Sequence, residues 1–427
     1  MNNYDSQRMS DALVAKNHLP VITAEDADII ILNTCSIREK ADEKLFSDLG
    51  RIRLLKEERP RITVVTGCVA QLRSNDIVKR MPWVDIILGP QDIQLLIEKL
   101  ENVSATCDTQ FSIKQNAKDK FEKLSDKFSE RAVSEFLTIQ EGCDNFCTYC
   151  VVPYTRGREF SRSVDEIIRE AKKLIEFGVV EITLLGQNVN SYHGEGSDGA
   201  QQNFSQLLWR FAELDGLKRL RSTTSHPKDI DEDVARAHRD IPILMPFLHL
   251  PVQSGSDKIL NKMNRKYTAA QYLEKIAMLR QYRPDIALSS DFIVGFPGES
   301  EEDFQQTLAL VRRVNFAQAY SFKYSPRPKT AAARMPNQIT ESEKERHLAI
   351  LQKLLSEQQQ KFNGGFLGQE LDVLLTKQGR HENQLVGRSP YAQAVTISLD
   401  REDQVNIGDV VRAKICEIAS HSLMGVL

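Results

Sequence analysis

Long hydrophobic runs are absent from this chain, and so is a large charge of either sign. Nothing in it resembles a transmembrane span, so a membrane protein is not expected. Met1-Asn2-Asn3-Tyr4-Asp5-Ser6 has neither the basic nor the apolar part of a secretory leader, so a cytosolic location is expected. Cysteine is scarce, with 7 in 427 residues, and thiols in a reducing compartment read better as metal ligands or catalysts than as disulfides. The net charge is only -3, so a nucleic-acid partner would have to be met by a local basic surface. With 41% hydrophobic and 27% charged residues, wholesale disorder is excluded. The length exceeds what one core supports and, at about 150 residues per domain, suggests roughly three domains.

The pattern along the chain supports three parts. From Asp28 the run Asp-Ile-Ile-Ile-Leu-Asn-Thr-Cys35 is followed by a charged helical stretch from about Glu39 to Glu58. Arg61-Ile-Thr-Val-Val-Thr-Gly-Cys68 and Val84-Asp-Ile-Ile-Leu-Gly89 repeat the strand pattern, the second followed by a helix to about Leu100. Such alternation predicts a flavodoxin-like parallel α/β domain over residues 1–111. Cys35 and Cys68 fall just past the C-terminal ends of their strands, the rim where open α/β sheets hold ligands. Residues 112–133, rich in Lys, Asp, Glu and Ser, read as a linker. Six strand candidates follow, at Phe136–Gln140, Val180–Leu185, Lys218–Thr223, Phe247–Leu250, Ala287–Val294 and Ala317–Phe322, and predict a partial (β/α)6 TIM-type barrel over 134–362. Thr340 with Glu343 suggests the cap of a long helix whose face is Leu348, Leu351, Leu355 and Phe362, ending at Gly364-Gly365. Short alternating runs in 363–427 (Leu371-Asp-Val-Leu-Leu, Ala392-Gln-Ala-Val-Thr-Ile, Val410-Val-Arg-Ala-Lys-Ile) predict a small β-barrel.

The sharpest chemical signal is Glu141-Gly-Cys143-Asp-Asn-Phe-Cys147-Thr-Tyr-Cys150, three cysteines at C-x3-C-x2-C spacing directly after a strand. Three thiolates from one loop suit three irons of a cubane cluster and leave the fourth open to a small molecule. Zinc is the competing reading, but structural zinc takes four ligands and His193 lies beyond another strand. Metal-free buried cysteines are the blander alternative, at odds with so polar a loop.

This motif after the first strand of a βα barrel resembles the signature of the radical S-adenosylmethionine enzymes. The resemblance implies a 4Fe–4S cluster on Cys143, Cys147 and Cys150, S-adenosylmethionine on its open iron, a 5′-deoxyadenosyl radical released by reductive cleavage, and Tyr149 packed beside the adenine. Asn33-Thr-Cys35-Ser-Ile-Arg38-Glu-Lys-Ala, Gly67-Cys68-Val-Ala-Gln71, Val152-Pro-Tyr-Thr-Arg156-Gly157, Leu184-Leu-Gly-Gln-Asn-Val-Asn-Ser-Tyr192 and His249-Leu-Pro-Val-Gln253-Ser-Gly-Ser256 narrow it further. Together, over almost the whole chain, they resemble the methylthiotransferases, and within them the branch that inserts sulfur at C2 of N6-isopentenyladenosine, position 37 beside the anticodon of tRNA, and methylates it. Sister branches modify threonylcarbamoyladenosine in tRNA or a ribosomal protein. The family carries a second 4Fe–4S cluster on three N-terminal cysteines. Cys35 and Cys68 match two of them, and the third would lie two residues before Met1, so an upstream strand and ligand are expected to be missing from the chain as given. Cys107 and Cys416 read as ordinary thiols.

Loops at C-terminal strand ends build the sites of such barrels, so Gly186, Gln187 and Asn188 and then Gln253, Ser254 and Gly255 are candidate S-adenosylmethionine contacts, against the plainer reading of turns and caps. Arg156 is a candidate for a carboxylate or phosphate, with a salt bridge as its rival. His226 and His249 read as packing residues, whereas Asp291, in an apolar strand, must find a partner or a proton. The last domain resembles a TRAM module, an RNA-holding barrel, yet its balance is -2, so contact would need a clustered face such as Lys377, Arg380 and Arg388. The implied partners are tRNA, a flavodoxin- or ferredoxin-type reductant and a sulfur donor, with the protein a monomer. The rivals from other classes are a non-catalytic RNA-binding protein and an electron-transfer iron–sulfur protein, neither of which needs an open iron inside a barrel.

Overall fold

In the first ninety residues the apolar runs become strands. The computed structural model describes residues 1–36, 41–106, 109–123, 128–129, 132–400, 404–419 and 422–427. Strands β1 (Ile29–Thr34), β2 (Ile62–Gly67), β3 (Ile86–Leu88) and β4 (Gln110–Ser112) lie parallel in that order. Helices α1 (Asn2–Val14), α2 (Ala41–Glu58), α3 (Cys68–Arg80) and α4 (Leu96–Thr106) cover the sheet. Adjacent residues of β2 serve opposite cores: Val64 packs with Met9, Ile86, Leu88 and Leu96, and Val65 with Leu45, Leu49, Val69 and Ile87. Burying each such aliphatic side chain stabilises by roughly 1.5–3 kcal/mol, which is why a doubly covered strand reads as a continuous apolar run. β4 was not among the expected strands; Gln110-Phe111-Ser112 is short and polar, and Phe111 is exposed.

The segment expected as a linker departs from that reading. Within 112–133 it forms helix α5 (Ala117–Lys123), whose Ala117 and Lys120 are buried. Its charge suggested solvent, but Lys120 is charged and inside. The chain divides into two compact units, the first made of Met1–Glu130, Gln140–Arg162 and Ser325–Ala333, the second of Arg131–Ile139, Ser163–Tyr324 and Arg334–Leu427. The cysteine loop therefore belongs to the same unit as the N-terminal sheet. Cys107 lies outside the described residues.

The second unit contains six barrel strands, β5 (Ser134–Thr138), β6 (Glu181–Leu185), β7 (Arg219–Ser222), β8 (Phe247–His249), β9 (Ala287–Val294) and β10 (Gln318–Lys323). They form two parallel three-stranded sheets, β7-β6-β5 and β8-β9-β10, with a parallel bridge between Leu220 and Leu244 at the junction. Capping boxes at Asn203/Gln206, Thr268/Gln271 and Ser300/Asp303 start three of the intervening helices, each cap contributing about 1 kcal/mol. Thr340 caps the long helix Glu341–Gly364 by accepting from Glu343 N.

Residues 370–426 close into a barrel of β11 (Glu370–Gln378), β12 (Gln384–Arg388), β13 (Ala394–Ser398), β14 (Val410–Ile418) and β15 (Ser422–Val426). Its core follows the period of two: Leu371, Val373, Leu375, then Val395, Ile397, then Ala413, Ile415. It docks on β7 through arginines. Arg219 donates to the carbonyls of Arg388 and Asp372 (both 2.7 Å), and Arg221 to those of Ser389 (2.7 Å) and Pro390 (2.8 Å). Glu181, 2.8 Å from Arg221 Nε, balances that buried charge.

Candidate functional site

In the first unit, Thr34 of β1 registers with Gly67 of β2, so Cys35 and Cys68 leave the sheet side by side. Cys68 opens α3 and Cys35 follows β1, both half-buried. The Thr34 hydroxyl fixes this edge, donating to Thr66 O (2.6 Å) and accepting from Val69 N (3.1 Å) and Ala70 N (3.3 Å) at the start of the helix. Gly67 has φ +94°, and a Cβ there would lie 2.3 Å from Thr34 O, so only glycine lets the two strand ends approach.

The cysteine loop is folded back on itself. Gly142 has φ +84°, and a Cβ would fall 1.9 Å from Arg158 O. Cys143 N donates to Gly157 O (3.2 Å), and Gln140–Glu141 pairs antiparallel with Phe160–Ser161. Asn145 Nδ2 approaches Cys143 Sγ at 3.5 Å, and Cys150 N donates to Cys147 O (2.9 Å). Cys147 is buried and Cys143, Tyr149 and Cys150 are half-buried. Burial pushes the Cys143 thiol up, and neighbouring Cys147 adds to it. Among the described residues no three Cys, His, Asp or Glu side chains close around one point as a single metal ion requires. A cubane, whose ligand sulfurs each bind a different iron, does not ask for that.

Of the two readings for Arg156, a ligand carboxylate or phosphate and a surface salt bridge, the structure shows ion pairing, but in the interior: its guanidinium is buried and taken up by the protein's own acids. Arg156 Nη2 lies 2.8 Å from Asp5, and Nη1 pairs with Glu141; Lys120 Nζ closes the ring at 2.7 Å from Asp5 and 2.8 Å from Glu141. Burial alone would raise the Asp5 carboxyl, but Lys120 and Arg156 hold it below the usual carboxylate range. Burial likewise disfavours the charged guanidinium, and Asp5 and Glu141 outweigh that and hold it protonated. The quartet thus ties both ends of the cysteine loop to α1 and α5. Sequence reasoning missed Asp5, Lys120 and Glu141, because partners up to 151 residues apart leave no local signal.

In the second unit, several candidates serve the frame. Asn188 has both amide ends committed, Nδ2 to Asp229 (2.7 Å) and Oδ1 accepting from His226 N (2.9 Å). Ser254 is fully buried, 3.3 Å from Thr307 Oγ1, and accepts from Ser256 N (3.2 Å). Gly255 sits against helix Glu301–Val314, where a Cβ would lie 2.6 Å from Gln306 O. Gln253 is strained, with φ +75°, between backbone bonds to Asp291 O (2.9 Å) and from Ile293 N (3.0 Å). Gly186 is buried and Gln187 half-buried at the end of β6. Asp291 finds its partner in His249 (3.4 Å), whose Nδ1 meets Ser289 Oγ at 2.9 Å, so the histidine read as packing is part of a polar pair. Lys377 stands near the β11–β12 hairpin that carries Arg380, while Arg388 ends β12 and donates to Ala392 O (3.1 Å), so the three do not occupy one turn.

Comparison with known proteins agrees with this architecture. A family model described as the radical SAM superfamily matches residues 137–311, an uncharacterized family, UPF0004, matches 1–89, and the TRAM domain matches 366–427. The solved radical S-adenosylmethionine methyltransferase TsrM from Kitasatospora setae shares the fold, at TM-score 0.54 with tryptophan and a SAM analog bound and 0.53 with cobalamin and a [4Fe-4S] cluster. Both are 14% identical; the first covers 78% of this chain and 67% of that one, the second 73% and 64%. The class is thus a radical S-adenosylmethionine fold with flanking sheet and TRAM barrel.

Among sequence relatives, tRNA-2-methylthio-N(6)-dimethylallyladenosine synthases from Bartonella tribocorum and Bartonella henselae are each 51% identical over 436 residues, covering 100% of this chain and 93% of the relative. The chain belongs to the tRNA-2-methylthio-N(6)-dimethylallyladenosine synthase family.

Proposed function

We propose that this protein is a radical S-adenosylmethionine methylthiotransferase that converts N6-isopentenyladenosine at position 37 of tRNA to its 2-methylthio derivative. The observation that carries the reading is the full-length 51% identity to synthases named for this product. The folded loop agrees with it, presenting Cys143, Cys147 and Cys150 from a turn that only Gly142 permits. Soft thiol donors in that setting fit an iron–sulfur cluster. Bound there, a 4Fe–4S cluster with one open iron supplies the reductive cleavage of S-adenosylmethionine that makes hydrogen abstraction from an aromatic C2–H possible.

Cys143, Cys147 and Cys150 are assigned to that cluster, and Cys35 with Cys68 to a second one that handles sulfur. Cys143, whose thiol burial pushes up still further, must release a proton when it becomes a ligand. Gly186, Gln187 and Gln253 remain the assigned S-adenosylmethionine contacts, with Tyr149 beside the adenine. Asn188, Ser254 and Arg156 are positioning residues, since their polar atoms already bond within the fold. The small barrel holds tRNA. A flavodoxin- or ferredoxin-type protein supplies electrons and a separate donor supplies sulfur, to a cytoplasmic monomer.

The test is anaerobic turnover. Reconstituted protein, given reductant, sulfide, S-adenosylmethionine and an isopentenyladenosine-containing anticodon stem-loop, yields the 2-methylthio nucleoside by mass spectrometry. Cys147→Ala loses iron and S-adenosylmethionine cleavage together; cleavage retained after verified iron loss contradicts the assignment.

A further inference from the structure

The rim of the second unit holds polar groups that the protein itself leaves unanswered. His226 is 5% exposed, and its Nε2 is buried without a hydrogen-bond partner among the described residues. Ser225 Oγ, 1% exposed, is in the same state, as are both Nδ2 and Oδ1 of Asn190. These residues lie on two loops bonded together past the ends of β6 and β7: Val189 N donates to Thr224 O (3.0 Å) and His226 N to Asn188 Oδ1 (2.9 Å). Buried polar atoms in folded proteins nearly always have partners, so this concentration marks a place completed by something else.

The chemistry of the set narrows that something. His226 Nδ1 accepts from Lys228 N (3.3 Å), which puts the ring proton on Nε2 and makes it a donor. Burial first, then the nearby Arg265, Lys228 and Lys266, pushes the ring pKa down to about 2, so the imidazole stays neutral at any working pH. Tyr267 holds the ring edge-on at 5.5 Å. Arg265 is engaged, donating to Pro251 O (2.6 Å) and Tyr267 Oη (2.9 Å). An anion would answer the donors and leave Asn190 Oδ1 unmatched. A nucleoside edge offers donors and acceptors together.

We infer that His226, with Ser225 and Asn190, recognises an adenosine, His226 donating from Nε2 to an acceptor on its base or ribose. This rests on the proposed function, in which adenosine arrives twice, in S-adenosylmethionine and as the target nucleotide. The contact is neutral hydrogen bonding, and a residue read from sequence as mere packing becomes a ligand contact.

The experiment compares reconstituted wild-type enzyme with His226→Phe, which removes the donor, and His226→Gln, which restores one. S-adenosylmethionine alone is titrated calorimetrically, KM and kcat are measured separately for the isopentenyladenosine stem-loop, and melting temperature is recorded for each. His226→Phe is expected to weaken one adenosine ligand about tenfold or more, with His226→Gln within about threefold of wild type and all three melting alike. A raised S-adenosylmethionine dissociation constant assigns the contact to that molecule; a raised stem-loop KM with calorimetry unchanged assigns it to the target. The inference is overturned if neither changes in His226→Phe, or if Phe and Gln variants lose binding and melting temperature equally, which is a packing role. Wild-type protein that binds neither probe overturns the proposed function instead, so the two failures are separate.

Discussion

Lys120 shows how much one side chain can decide. It lies fully buried, paired with Asp5 and Glu141, the same two carboxylates that Arg156 also holds. Lys120→Met leaves acids uncompensated inside the protein and should cost about 3–5 kcal/mol in urea unfolding. The pH dependence has a definite sign. The Asp5 carboxyl sits below its unfolded value, so the stability it contributes is fully present above about pH 4 and is lost as pH falls through its folded value. Urea midpoints from pH 7 to 3 should therefore fall more steeply for wild type than for Asp5→Asn; equal slopes contradict the coupling. Gly142 makes a second residue-level prediction: Gly142→Ala should lower iron content, because its Cβ would strike Arg158 O. Gly50→Ala, in helix α2 with open space around it, should hold iron normally and gain up to about 1 kcal/mol. At this scale the cysteines were legible because spacing within one loop carries their chemistry, whereas the ion quartet was not, because its members stand at 5, 120, 141 and 156.

Elements were read well where one periodicity ruled. Apolar runs with both faces covered, such as Ile62–Gly67 and Ala287–Val294, are strands as read. The strands missed are those where composition hides the pattern. Gln384-Leu-Val-Gly-Arg388 has a glycine whose Cβ would lie 2.3 Å from Leu374 O, and Ser422–Val426 pairs parallel to β13 in an otherwise antiparallel barrel. Helix α5 escaped for a different reason: its burial depends on acids contributed by α1 and the cysteine loop. The docking of the small barrel yields its own prediction. Arg221 answers Glu181 and two backbone carbonyls of the barrel, so Arg221→Met should open the junction near residues 364–370 to limited proteolysis. Stem-loop affinity should fall while S-adenosylmethionine cleavage without RNA persists. An unchanged digest contradicts the docking role.

For the whole molecule, charge and composition said little, since a net charge of -3 conceals buried arginines and lysines whose partners are internal. What made the architecture legible was order along the chain: a sheet with two rim cysteines, a three-cysteine loop, six barrel strands and a small closed barrel; the family itself came from the full-length 51% identity. The loop's grouping with the N-terminal sheet, and not with the barrel strands, came only from the structure. If Cys35 and Cys68 serve sulfur delivery while the central three generate the radical, Cys68→Ala should cleave S-adenosylmethionine yet form no methylthio product. The central claim is most directly tested by nucleoside mass spectrometry of tRNA from cells deleted for this gene and complemented with it or with Cys147→Ala. The account predicts that deletion accumulates N6-isopentenyladenosine and that only the intact gene restores its 2-methylthio form; a 2-methylthio level unaffected by deletion would contradict it.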